Sequence, residues 1–261
     1  VRPQRWHECE RQRLKNLSAT AHVRRLLFLG SVVLLSQLGH VTQCATITFL
    51  DDPINVGLQP TAVSADGTVV IGEPGIVIGL QTAFRWTSAG GFENLGALPG
   101  GTNSAAYAMS SDGSVIAGAS TSSDGSRAFR WTSTGGMENL GTLPGDTYSD
   151  VRAMSSDGYV VVGSSDNWDT NQLRVFRWTE SEGMRDIGGP NALNVSGVSA
   201  DGNVIIGSWD WDYATPWMWT ESLGVVDLKQ YLAAVGVNME HWDNMLIPTA
   251  ISGQEVNGVM E

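Results

Sequence analysis

From Thr61 to Leu228 the pattern of apolar and polar positions has a period of two, not 3.6. One stretch shows it well. Ala105 to Met109 reads as a short strand, and Ser114 to Ala119 as a second, apolar and β-branched. Between them Asp112-Gly113 has the composition of a two-residue type I′ turn, which needs positive φ at both central positions. A polar loop, Ser120 to Gly125, leads to a third strand, Arg127 to Thr132. Ser133 to Gly136 makes the next turn, and Met137 to Leu143 gives a fourth strand. Leu143-Pro144-Gly145 closes the unit, since proline cannot donate to a ladder and glycine supplies the turn.

This unit recurs. Ser-x-Asp-Gly followed by an apolar run and a glycine stands as SADGTVVIG from Ser64, SSDGSVIAG from Ser110, SSDGYVVVG from Ser155 and SADGNVIIG from Ser199. Downstream of each comes an aromatic strand whose tryptophan is Trp86, Trp131, Trp178 or Trp219, at spacings of 45, 47 and 41. Asp66, Asp112, Asp157 and Asp201 are 46, 45 and 44 apart. Two markers in phase over four copies, at a period of about 40–50 residues, define a repeat architecture. Four short strands per copy is the size of a propeller blade. The expected fold is therefore all-β: a β-propeller of about 45-residue, four-stranded repeats. Four copies are full and a terminal one is partial, which allows five blades; an open β-repeat array is the alternative. Thr46 to Phe49 stands where the last strand of a preceding unit would be, and Pro248 to Ser252 echoes Pro60 to Ser64. In propellers such an offset lets one blade be built from both ends, which removes open edges.

The pattern changes once inside this region. Leu228, Tyr231, Leu232 and Val235 follow i, i+3, i+4, i+7, and Gly236 comes next as a C-terminal cap. A short helical insertion is expected within about residues 228–245.

Residues 1–44 read differently. Seven basic residues (Arg2, Arg5, Arg11, Arg13, Lys15, Arg24, Arg25) precede an apolar run from Leu26 to Leu35. This order describes a leader with a secretory signal peptide, and the run is short for a membrane span. Cleavage is expected near Cys44 or Ala45, leaving a β-repeat domain over 45–261; lipid attachment at Cys44 is a minor alternative. The only cysteines are Cys9 and Cys44, so the repeat region rests on packing rather than disulfides. Beyond residue 44, eight Lys or Arg face 25 Asp or Glu, a net charge of −17. Such a field disfavours nucleic acid and anionic membrane surfaces and suits solubility outside a cell. The 31 glycines and a charged fraction of 16% fit many tight turns.

The AFRWT…GGMENLGTLPG…DG-x-V motif resembles the HAF repeat, a family of extracellular repeats, over about Thr61 to Leu228. The resemblance implies export and a β-repeat fold, and supplies no catalytic residues.

Candidate chemistry is sparse. After the leader one histidine remains, His241, and there is no cysteine nucleophile, Gly-x-Ser-x-Gly, metal-spaced histidine pair or phosphate loop. Catalytic residues, metal and cofactor are all expected to be absent. The repeated Asp-Gly lacks the alternating oxygen ligands of a calcium loop and reads as a turn. Phe84, Phe129 and Phe176 lie two residues before the motif tryptophans, on one strand face. Arg85, Arg130 and Arg177 point the other way. The copies differ mainly in the loop between second and third strands. There the third copy offers Trp168 and Asp169, and the fourth Trp209, Asp210, Trp211, Asp212 and Tyr213. Aromatic faces beside carboxylates suit sugar rings and their hydroxyls, so these seven residues form the expected ligand-binding set. The expected function is a secreted or cell-surface, non-catalytic module for a glycan or an extracellular protein. An extracellular carbohydrate-active enzyme with carboxylates in a propeller channel is the rival.

Overall fold

The computed structural model describes residues 32–35, 46–49, 58–73, 81–167, 169–170, 172–189, 194–209, 215–238, 255–256 and 259–260. The chain divides into two compact units, Val1–Leu50 and Asp51–Glu261. In the first, β1 (Val32–Leu35) pairs antiparallel with β2 (Thr46–Phe49), Val32 opposite Phe49. This pairing spans the expected cleavage site, and among the described residues β2 pairs with β1.

The second unit holds four antiparallel sheets of four strands, each built from one copy of the repeat. The first comprises β3 (Gln59–Val63), β4 (Val69–Glu73), β5 (Ala83–Thr87) and β6 (Gly91–Gly96). The second comprises β7 (Ser104–Met109), β8 (Val115–Ser122), β9 (Gly125–Thr132) and β10 (Gly136–Asn139). The third comprises β11 (Tyr148–Met154), β12 (Val161–Asn167), β13 (Gln172–Thr179) and β14 (Gly183–Asp186). The fourth comprises β15 (Asn194–Val198), β16 (Val204–Ser208), β17 (Pro216–Thr220) and β18 (Gly224–Asp227). Helix α1 (Leu228–Ala234) follows, and a hairpin of β19 (Glu255–Val256) and β20 (Val259–Met260) lies near the end. Within each sheet the strands lie in sequence order. Each first strand touches the first strand of the next sheet: β3 with β7, β7 with β11, β11 with β15. Inner strands side by side and sheets packed face to face make the arrangement propeller-like.

Among the described residues, three apolar seams join successive sheets. Val69, Ile71 and Leu98 of the first sheet pack on Ile116, Phe129 and Trp131 of the second. Ala117, Leu140 and Leu143 pack on Val161, Phe176 and Trp178. Val160, Val162 and Val175 pack on Ile205, Trp217 and Trp219. The aromatic face of each later sheet, Phe and Trp in the second and third and two Trp in the fourth, thus meets the apolar second strand of the sheet before it. Arg85 and Arg130 emerge on the opposite side and cover the next indole, Arg85 over Trp131 and Arg130 over Trp178, each 5.9 Å from the ring centroid. At the last seam the place is taken by Arg185, over Trp219 at 5.8 Å.

Several local details differ from the sequence expectation. The Asp-Gly turn is not type I′. The Gly113 amide donates to the Ser110 carbonyl at 2.9 Å, which makes Ser111 and Asp112 the central residues and puts Gly113 just after, at φ 71°. The cause lies in the side chains. Ser110 Oγ donates to Asp112 Oδ1 (2.7 Å), which also accepts from the Ser114 amide (3.0 Å), and Ser110 Oγ accepts from the Val115 amide (3.0 Å). These bonds hold Asp112 in the turn, as Asx turns do. They also draw its carboxyl down to about 2, the Ser110 hydroxyl being the largest cause. Asp66 and Asp201 are likewise lowered, Asp66 chiefly by the Thr68 amide and Asp201 by the Ser199 hydroxyl.

In the second copy the loop expected over Ser120–Gly125 is only the turn between Ser122 and Gly125, which pair across β8 and β9. The expected fourth strand stops at Asn139. Leu140 still bonds to β9, its amide donating to the Ala128 carbonyl at 2.9 Å, before Gly141 turns the chain at φ 78°, and Leu143 then enters the seam beside Leu140.

The glycine that ends each motif has a steric reason. A Cβ on Gly118 would lie 1.9 Å from the Ala105 carbonyl oxygen, and one on Gly163 1.9 Å from that of Asp150 and 2.7 Å from the Phe176 ring. The inner strand bulges beside it, with register shifts between Ala106 and Ala108 and between Val151 and Ala153. That bulge presses the neighbouring carbonyl onto the glycine.

Candidate binding face

One end of the sheets gathers the β8–β9 and β12–β13 turns, the links that follow the fourth strands, and the starts of the inner strands. The link after β10 is tied to the third sheet at this end. The Thr147 amide donates to the Asp166 carbonyl (2.9 Å), Asn167 Nδ2 to the Gly145 carbonyl (2.7 Å), and Arg174 bridges Asp146 at 2.8 Å and Asp186 at 3.4 Å. Variable loops and links therefore share a face.

Of the seven ligand-binding residues expected from sequence, Trp168, Asp210, Trp211, Asp212 and Tyr213 lie outside the described residues. Asp169 is exposed, its amide donating to Asn167 Oδ1 at 3.0 Å. Trp209 is half-buried and packs on the seam that holds Val195, Ile205 and Trp217. The alternation of β16 explains this: Ile205, Gly207 and Trp209 fall on one face, so the ring continues the core beyond the strand end. Trp209 is a wall residue before it is a surface anchor.

Sequence reasoning missed a second group, on the inner strands of the second and third sheets. Counted from the ladder registers, Arg152 and Tyr107 are the bulged residues of their inner strands, where the first and fourth copies have Thr61 and Ser196. Asp150 takes the place of Gln59, Ala105 and Asn194. Its side chain is only 9% exposed, and Oδ2 lies 3.3 Å from Arg152 Nη2, whose side chain stays 47% exposed. Asp150 Oδ1 is buried without a hydrogen-bond partner. Burial pushes its carboxyl above the ordinary range, against the pull of Arg152. Tyr107 is pushed up to about 12, first by burial and then by the charges of Asp150 and Glu73. Tyr148 is raised by burial and then by Asp150. The aligned copies carried the signal: at shared registers, only these copies bring charge or a phenol to the inner strand.

Chemically, the group offers a guanidinium half open to solvent, a phenol rim and a buried counter-charge. Such parts are chemically suited to holding a polar ligand, and these four residues do not pair a nucleophile with its base. Among the described residues no group of three or more His, Cys, Asp or Glu could hold a metal ion, and no helix is long and apolar enough to cross a membrane.

No family model matches the chain, and no curated protein does. Solved structures do. A structure from a study of two prolyl endopeptidases is 15% identical over 69% of this chain and 30% of its own, at a TM-score of 0.50. TolB from Acinetobacter baumannii is 15% identical over 70% of this chain and 48% of its own, at 0.47. A chain of a nidogen–laminin complex is 12% identical over 80% of this chain and 73% of its own, at 0.47. The first four matched structures are covered over 30% to 60% of their length. Likeness at this identity concerns the fold alone, here all-β and propeller-like.

Proposed function

We propose that this chain is a secreted or cell-surface, HAF-like repeat domain that binds without catalysing, through the inner strands of its second and third sheets and the loops beside them. The ligand class we favour is a glycan, with an extracellular protein as the second reading. One observation carries the proposal. The positions common to the copies are occupied in turns and seams, whereas the copy-specific Tyr107, Tyr148, Asp150 and Arg152 collect on neighbouring inner strands, running from the variable end at Tyr148 to the bulges at Tyr107 and Arg152. Arg152 supplies donors for hydroxyl or carboxylate oxygens and Tyr107 an apolar ring face. Asp169 lies in the turn of the neighbouring hairpin, beside Trp168 in sequence.

The test is a glycan array with the full chain beside its Tyr107→Ala and Arg152→Ala variants. Binding by the native chain that falls in both variants, at unchanged melting temperature, is the expected outcome. Binding unaffected by either change removes the face from the proposal, and turnover in a glycoside-hydrolase panel would favour the enzymatic rival.

A further inference from the structure

We infer that α1 is an end cap: it holds the seat that a further repeat would take on the outward face of the fourth sheet, and so ends the stack there. At each of the three seams that face meets the next sheet. Its second strand is apolar, and its third and fourth strands carry facing residues, Arg85 opposite Glu93, Arg130 opposite Glu138 and Arg177 opposite Arg185. In the fourth sheet the facing pair is Met218 and Val226. Arg and Glu give way to two apolar side chains at the same register, on the sheet that is followed by the helix. Val204, Ile206 and Met218 are buried there, with Val226, Leu228 and Tyr231 packed against them. The seam equivalents of Val204 and Ile206 are Val69 and Ile71, which pack on Ile116, Phe129 and Trp131 of the following sheet. Leu228 and Tyr231 thus stand where a β-branched residue (Ile116, Val161 or Ile205) and an aromatic pair stand elsewhere.

The helix is built to stay. Asp227 accepts from the Gln230 amide at 2.9 Å as N-cap. At the other end the Gly236 amide donates to the Ala233 carbonyl (3.1 Å) and the Val237 amide to that of Leu232 (3.0 Å), with Gly236 at φ 89°. This is the paired-bond stop that needs a glycine in the left-handed region. Val235, expected on the apolar stripe, is 59% exposed because the chain has already turned away. With seven residues the helix cannot persist alone and depends on the sheet it covers. Solenoids need such terminal covers, because an uncovered repeat face is a surface for the next repeat.

The decisive variant is Met218→Arg with Val226→Glu, which writes into the fourth sheet the pair that the first and second sheets already accommodate. The expected result is release of α1: tryptic cleavage after Lys229 accelerates on the order of tenfold, since cleavage follows the open population, while the far-ultraviolet β signal persists. A companion variant, Leu228→Ser with Tyr231→Ser, keeps the apolar face and removes its cover. It should self-associate with rising concentration in light scattering, where the native chain does not. Unchanged cleavage after Lys229 together with a higher melting temperature in the first variant would overturn the inference. That outcome is what a fifth blade on this face, closing a ring, would produce. A companion variant that stays monomeric at every concentration would overturn it too.

Discussion

The guanidinium of Arg130 lies over the indole of Trp178, 5.9 Å from the ring centroid, although the two residues belong to different copies of the repeat. Its Nε is buried without a hydrogen-bond partner. The contact therefore works through the face of the group rather than its edge, as stacked arginines do. Arg130→Ala should lower stability by about 1–2 kcal/mol, and Arg130→Lys should recover less than half of that, because an ammonium lacks the planar face. Chemical denaturation of the three proteins measures this. Equal stability of all three would mean that the indole needs no cover.

Two glycines with unlike reasons should respond differently to alanine. Gly118 has negative φ and a carbonyl where its Cβ would be, so Gly118→Ala should cost more than about 3 kcal/mol. Gly141 has φ +78° and nothing within 4 Å, so Gly141→Ala should cost about 1–2 kcal/mol, the strain of the left-handed region alone. Thermal melts of the pair check the order. A reversed order would displace the bulge as the cause of the motif glycine.

Trp217 is fully buried, and its indole Nε1 has no hydrogen-bond partner. The other three copies place Phe84, Phe129 and Phe176 at this register. Removing an unpaired buried donor offsets the lost volume, each on the order of 1–3 kcal/mol. Trp217→Phe is therefore expected to shift stability by less than about 1 kcal/mol, whereas Phe129→Ala should cost about 3–5 kcal/mol. A loss for Trp217→Phe as large as that for Phe129→Ala would show that the larger ring is required.

Acid and neutral pH should act on different carboxyls. Asp66, Asp112 and Asp201 have lowered folded values, so their contribution is present above the ordinary carboxylate value and is lost as pH falls through the folded one, about 2 for Asp112. Asp150 has the opposite sign. Its folded value is raised, so the native state holds the proton more tightly than the unfolded chain, and stability falls as pH rises through that folded value. Asp150→Asn, the residue found at this register as Asn194, should raise the melting temperature at pH 7 and do so less at pH 4. A drop at pH 7 would mean that the Arg152 contact outweighs the burial.

The loop tryptophan has its own comparison. Trp209 packs on the third seam, so Trp209→Ala should lower the melting temperature by several degrees, as loss of about 2 kcal/mol does in a domain of this size. Tyr107→Ala should leave melting nearly unchanged, because its ring is 37% exposed on an inner strand. A Trp209 variant that melts like the native chain would return this ring to the ligand-binding set.

Repetition is what made the fold legible. Period and strand count were each stated four times over and the Phe–Trp face three times, so one copy's ambiguity was settled by the others. The helix was legible from four apolar residues and a glycine, though the stripe ended early at Leu232. Details decided by a partner copy were not legible. Nothing local to Gly118 announces a carbonyl from a bulged neighbour. Nothing near Ser149 says that its hydroxyl accepts from the Ala128 amide and donates to the Gly141 carbonyl across a seam. The candidate site suffered from the reverse problem. Trp209 stands out in composition and is partly core, while Arg152 and Tyr107 are ordinary residues made notable by a bulge that alternation cannot foresee.

The turns also form a chain of their own. The Ala65 amide donates to the Ser111 carbonyl, the Ser111 amide to that of Ser156, and the Ser156 amide to that of Ala200, at 2.7–3.0 Å. Each of the first three copies thus offers its successor a donor, and each of the last three offers its predecessor an acceptor, always from the residue after the turn serine. Such a connector has one polarity and no identity. If the second copy were excised, the first would meet the third with donor facing acceptor and a valine beneath a turn glycine, as before. Genes encoding this unit can therefore grow or shrink by whole copies through unequal recombination, with the joint mended by geometry already present, leaving selection free to act on the loops.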